Sequence, residues 1–158
     1  MKAIPQERRD AIAAQVMDRY MLGEQVADMA MEYETSDVTI YALLLREHEV
    51  EWKEAQCARA LAKKERLEKD VMEARAAMRG APDALSLARE RDRAKASEIL
   101  LRSAQWELER LLKRLYGQDQ TITVNIVDLG ERLRRARERV GGGVIDVSPV
   151  PQLESSSQ

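Results

Sequence analysis

A mainly α fold with a small β contribution is what this chain predicts, and three observations predict it. Apolar residues recur at helical spacing from residue 5 to residue 116. The composition is 44% hydrophobic yet only 4% aromatic with no Phe, which suits Leu/Ala/Met helix packing rather than a bulky sandwich core. A single stretch, Thr121–Val127, alternates as a strand does, with Ile122, Val124 and Ile126 on one face. Charged residues make up 34% of the 158, as long exposed helices require.

The N-terminal fifty residues read as a helical DNA-binding unit. Pro5 to Met21 forms a first helix with Ile12, Val16 and Tyr20 on one face and Ala13 beside them. Gly23 breaks the pattern, and Glu24 to Tyr33 makes a short second helix in which Ala27 stands where two helices could approach closely. After a turn at Glu34-Thr35-Ser36, Ser36 caps a third helix starting at Asp37. That helix is apolar at Val38, Ile40, Tyr41, Leu43, Leu44 and Leu45, and is expected to run on through Arg46 to Lys53. The Gly23–Arg46 spacing is that of a helix-turn-helix, whose second helix enters a major groove. Asp37, Thr39, Tyr41, Ala42 and Arg46 are then the outward positions, with Lys2, Arg8, Arg9 and Arg19 as nearby cations. A plain helical bundle capped at Ser36 explains the same spacing, and the scarcity of Lys and Arg on the third helix counts against groove binding.

Residues 51–116 read as two long helices folded back at Arg79-Gly80-Ala81-Pro82-Asp83. Gly80 can take the left-handed conformation that ends a helix, Pro82 cannot continue one, and Asp83 can cap the next. One seam holds Leu87, Ala94, Leu101, Ala104, Leu108, Leu111 and Leu115. The facing helix answers with Val50, Cys57, Ala60, Leu67, Val71, Ala74 and Met78, interrupted at Lys64. A second stripe, Ile99, Trp106 and Leu112 with Tyr116, lies off that seam. An antiparallel hairpin buries one stripe per helix, so the spare stripe predicts copies of the hairpin packed side by side.

Residues 117–147 read as strand, helix and short strand. Asp128 and Glu131 have capping-box spacing for a helix from Leu129 to about Val140, closed by Gly141-Gly142-Gly143, with Val144–Val147 as a second strand. One or two short strands cannot make a stable sheet alone, so neighbouring copies are expected to complete it. The helix Arg132–Arg139 either lines a channel, touches phosphates, or is a solvated face with internal Glu–Arg pairs. Residues 148–158, with Pro149, Pro151 and Ser155-Ser156-Ser157, are expected to be a disordered tail.

Catalysis finds little support. His48 sits among acids with no second His or nearby Cys to complete a metal set, and the glycines at 141–143 lack the Lys-Ser/Thr of a phosphate loop. Cys57, the lone cysteine, reads as a small core residue in a chain without internal disulfides, which fits a reducing compartment. Trp52 and Trp106 read as packing anchors. The N-terminus lacks the apolar run of a signal peptide, and no run long enough to span a membrane occurs. Net charge is −2, so nucleic-acid contact must come from a local patch. No enzyme, metal or cofactor is therefore expected.

The order of these parts resembles the small subunit of tailed-bacteriophage terminase. The features that carry it are the helix-turn-helix at Gly23–Arg46, the hairpin around Gly80-Ala81-Pro82-Asp83, and two stretches, Leu101–Arg110 and Val127–Arg135, that look like small terminase proteins. The resemblance covers nearly the whole chain and rests on architecture rather than a reactive motif. It implies a non-catalytic homo-oligomeric ring in the host cytoplasm. Hairpins would form the wall, C-terminal strands would join into a barrel between subunits, and helix-turn-helix modules would recognise double-stranded viral DNA. Such a ring recruits and regulates a large ATPase-nuclease subunit during genome packaging, with the tail as its meeting point. Carried onto this chain, the resemblance makes Asp37, Thr39, Tyr41 and Arg46, with Arg8, Arg9 and Arg19, the DNA contacts. Two other classes fit the same residues: a transcription regulator dimerising through the hairpin, and a coiled-coil scaffold that never touches DNA.

Overall fold

The structure, a computed structural model, describes residues 5–117 and 122–142, with the side chains of 122–127 excepted. It is mainly helical. Six helices follow in order: α1 Gln6–Met21, α2 Val26–Glu32, α3 Asp37–Glu47, α4 Glu49–Arg79, α5 Ala84–Tyr116 and α6 Ile122–Gly142. No helix among the described residues is long and apolar enough to cross a membrane.

Helix α1 starts at Pro5, whose carbonyl accepts the Arg8 and Arg9 N–H groups at 3.1 Å. It buries Ala13, Val16, Met17 and Met21. Gly23 takes φ +113°, a conformation side chains rarely adopt, and turns the chain into α2. In α2 the buried small residue is Ala30, beside Val26 and Met29; Ala27, expected at the close approach, is exposed. Glu34 closes the next turn at φ +53°, a left-handed position held here without glycine. Ser36 caps α3 as expected: its Oγ accepts the Thr39 N–H at 3.1 Å.

The third helix does not run on to Lys53. It stops at His48, with φ −135° and ψ 38°, and α4 begins at Glu49. The acids explain the break. Glu49 and Glu51 oppose the dipole at a helix C-terminus but suit the first turn of a new helix, which is where they lie. The His48 carbonyl then accepts the Trp52 N–H at 2.9 Å.

Helices α4 and α5, of 31 and 33 residues, form the antiparallel hairpin. Each is roughly 45–50 Å long at 1.5 Å per residue. Asp83 caps α5 by accepting the Ser86 N–H at 2.7 Å. Gly80 ends α4 at φ −100°, not in the left-handed region, so the turn needs no glycine-specific geometry there. The seam buries Leu67, Val71 and Ala74 of α4 with Ala94 and Ala104 of α5, while Leu108 and Leu112 of α5 enter the core at the open end of the hairpin. Two expectations shift. Leu112, placed on the spare stripe, is buried in the core at the open end of the hairpin, and Val50, placed in the seam, is exposed.

The largest correction concerns the C-terminal part. The segment read as a strand, Thr121–Val127, is helical from Ile122 onward, and Asp128 lies inside α6 rather than at its cap. The reason is a row at helical spacing: Ile122, Ile126, Leu129, Leu133, Ala136 and Val140. Its first two members also satisfy a strand pattern, but burial of Leu129, Leu133 and Ala136 favours continuation of one helix. No strand occurs among the described residues. Residues 144–147, read as a second strand, and the 148–158 tail lie outside them.

Helix α6 packs on α1 and α4. One core therefore joins α1–α3, the first turns of α4, the end of α5 and α6 at the open end of the hairpin. Trp52 sits in it, 3% exposed, with the Tyr20 ring 4.6 Å and the Tyr41 ring 6.0 Å away. Arg59 of α4 clamps the α1–α2 turn by donating to the carbonyls of Tyr20 (3.1 Å), Gly23 (3.1 Å) and Glu24 (2.6 Å) while stacking on the Tyr20 ring.

Candidate nucleic-acid interface

The core of the α2–α3 unit, expected as a helix-turn-helix, is built by Val26, Met29 and Ala30 of α2 facing Ile40 and Leu44 of α3. That packing turns the opposite side of α3 outward. Thr39 and Arg46 are exposed on it, Asp37 is exposed in the first turn, and Arg46 makes no ion pair among the described residues. The structure thus brings four of the sequence-predicted residues, Asp37, Thr39, Tyr41 and Arg46, onto one helix.

Several of them already have structural work. The Asp37 carboxylate accepts the Val38 N–H at 2.8 Å, and the Thr39 hydroxyl lies 2.8 Å from Ser36 Oγ. Both belong to the first turn of α3. Tyr41 packs edge-on against Trp52.

The cations of α1 separate into two kinds. Arg8 is exposed and unpaired among the described residues. Arg9 donates to the Gln6 side chain and lies 3.4 Å from Glu47. Arg19 is a clamp: its Nε donates to Glu24 at 2.9 Å and its Nη1 to Glu32 at 2.6 Å, tying α1 to the turn before α2 and to the last residue of α2. Those hydrogen bonds, to Glu32 and then Glu24, hold its guanidinium charged far beyond any working pH, and the same contact pulls the Glu32 carboxyl below its usual range. Burial pushes the neighbouring Tyr33 phenol up, and its hydroxyl donates to Gln15 at 2.6 Å.

Electrostatically the unit is acidic. Residues 24–47 carry six carboxylates, Glu24, Asp28, Glu32, Glu34, Asp37 and Glu47, against the single cation Arg46. Arg19 offsets two of them. Apolar side chains stand among the rest, with Val38 71% and Leu45 55% exposed.

The arginines of α6 are largely committed to pairs. Arg134–Glu138 (2.6 Å) and Arg135–Glu131 (3.4 Å) run along the helix, while Arg132 reaches Glu54 on α4 and Arg139 reaches Asp18 on α1. On the hairpin, Trp52 is the packing anchor expected, but Trp106 is not: it is 56% exposed under the Arg110 guanidinium, 4.5 Å from its ring centre. Ile99, on the same stripe, is 68% exposed.

Sequence reasoning missed one juxtaposition. Asp10, Glu47 and His48 meet with their ligand atoms within 4.8 Å of one another, and Gln6 bridges the two carboxylates at 2.9 and 3.1 Å. The sequence neighbours of His48 are acids of its own helices, and nothing local signals that α1 delivers Asp10 to it. Comparison of the chain with models of known protein families, with curated proteins and with solved structures finds no match.

Proposed function

We propose that this chain is a non-catalytic, self-assembling DNA-recognition subunit of the small-terminase type. It would bind double-stranded viral DNA and recruit a large packaging subunit. The observation that carries the reading is the joining of a capped helix-turn-helix, with Arg46 of α3 and Arg8 of α1 unpaired among the described residues, to a hairpin whose Ile99–Trp106 stripe is exposed among the described residues. An exposed Trp and Ile on one helix face are what side-by-side packing of copies would cover. A ring would present many weak modules at once, and avidity would compensate for the single cation on α3. The proposal carries no intersubunit barrel built on residues 121–127.

A second reading has one specific observation in its favour. The acidity of residues 24–47 suits a scaffold whose N-terminal unit docks protein and never touches DNA. The two readings part on a salt series of binding to duplex DNA. The packaging reading expects affinity that falls steeply with salt and a shallower slope in Arg8→Gln/Arg46→Gln. The scaffold reading expects no salt-sensitive binding at any concentration.

A further inference from the structure

A concave surface on the flank of the hairpin holds positive charge that the helix-turn-helix lacks. It is a cleft of about 860 Å³ between the α1–α2 turn, the outer face of α4, the end of α5 and α6. Arg59, Lys63, Arg66 and Lys69 of α4, Arg114 of α5 and Arg137 of α6 line it, against only Glu65 and Glu107. The first three stand at i, i+4 and i+7, one face of a helix, with Lys69 one turn further.

Part of this charge is satisfied. Lys63 pairs with Glu107 at 2.7 Å, Arg137 lies 3.7 Å from Glu65, and Arg59 is spent on the three carbonyls. Arg66 and Arg114 form no ion pair among the described residues, and Lys69 is held only loosely, 3.7 Å from Glu73. In a chain of net charge −2, cations from three helices converging on one concavity are a local arrangement and not a consequence of composition. Leaving them unpaired works against folding through mutual repulsion, which a bound polyanion removes. The row from Arg59 to Lys69 spans about 15 Å at 1.5 Å per residue.

We infer that this cleft is a phosphate-binding site for the backbone of duplex DNA, supplying sequence-independent contacts that α3 does not provide. The inference rests on the DNA-recognition reading and relocates most of its affinity from α3 to the hairpin flank. Phosphate contacts position a protein on DNA while α3 is left to read base edges.

The test uses the full chain and a mixed-sequence duplex across a salt series. The cleft variant is Arg66→Gln/Lys69→Gln/Arg114→Gln; all three side chains are exposed, and circular dichroism checks the fold. The charge-matched control is Arg89→Gln/Arg91→Gln/Lys95→Gln, near the hairpin tip. At about 0.9 per phosphate contact, the cleft variant should lose roughly two to three units of the slope of log K against log salt, and the control should keep it. A wild-type slope in the cleft variant overturns the inference while leaving the DNA reading intact. Should the wild type bind no duplex, the DNA reading falls, and the cleft is read with inorganic tripolyphosphate. A rise in Tm for the wild type but not for the cleft variant keeps the phosphate site; no rise in either overturns it.

Discussion

The carboxylate of Asp18 on α1 and the guanidinium of Arg139 on α6 meet through two hydrogen bonds, Nε to Oδ2 and Nη2 to Oδ1, both 2.7 Å. Asp18 is 6% exposed, the one charged residue among the buried described residues. Fork-on-carboxylate geometry is the strongest form of this contact, and it fixes the C-terminal helix onto the N-terminal one. Arg139→Ala would leave a buried carboxylate without its partner. The guanidinium is half exposed, which reduces the loss, so the expected destabilisation is about 1–2 kcal/mol. Urea unfolding measures it. Asp18→Asn combined with Arg139→Gln should recover part of the loss, because no charge is then stranded.

Arg19 and Arg8 look alike in sequence and differ in place. Arg19→Gln removes the clamp on Glu24 and Glu32 and should lower stability by about 1–2 kcal/mol. The salt slope of DNA binding should stay as in the wild type. Arg8→Gln/Arg46→Gln should do the reverse, with stability within about 0.5 kcal/mol of wild type. Thermal unfolding beside a binding series separates the two roles.

Alkaline pH should destabilise the fold in a defined window. Burial pushes the Cys57 thiol up to about 11 from its ordinary 9.0, and the Tyr116 phenol up to about 12 from 10.0. Burial also raises Tyr20 and Tyr33. The unfolded chain therefore releases these protons first, and stability falls as pH rises from 9 toward 12. The midpoint of urea unfolding should drop across that range, and Cys57→Ala should remove the part that begins near pH 9. The native thiol should also resist alkylation at pH 8 and react once the protein is unfolded.

The exposed stripe of α5 makes a separate prediction. Ile99→Glu/Trp106→Ala changes side chains that face solvent in the single chain, so subunit stability should stay within about 0.5 kcal/mol. Self-association should weaken strongly, since an apolar contact is replaced by a charge. Analytical ultracentrifugation of the variant beside the wild type reads this directly.

Local signals in this chain were legible and tertiary ones were not. Ser36 and Asp83 cap the helices expected of them because a cap needs only the next three residues. Gly23 turns the chain for an equally local reason. The strand at Thr121–Val127 was misread because seven residues cannot distinguish a period of two from the start of a helical row. What decides it is the burial of Leu133 and Ala136 against α1 and α4, farther along. The dual role of the arginines was likewise hidden. Glu32 lies thirteen positions from Arg19, and Asp18 lies 121 from Arg139. Only the folded arrangement shows which cations are spent and which are free.

The proposed architecture is a helix-turn-helix carried on a hairpin that assembles into a closed ring. Native mass spectrometry of the full chain without DNA tests it most directly. A single species well above a tetramer is the expected result. A dimer would contradict the ring and leave the hairpin as the dimerisation element of a transcription regulator.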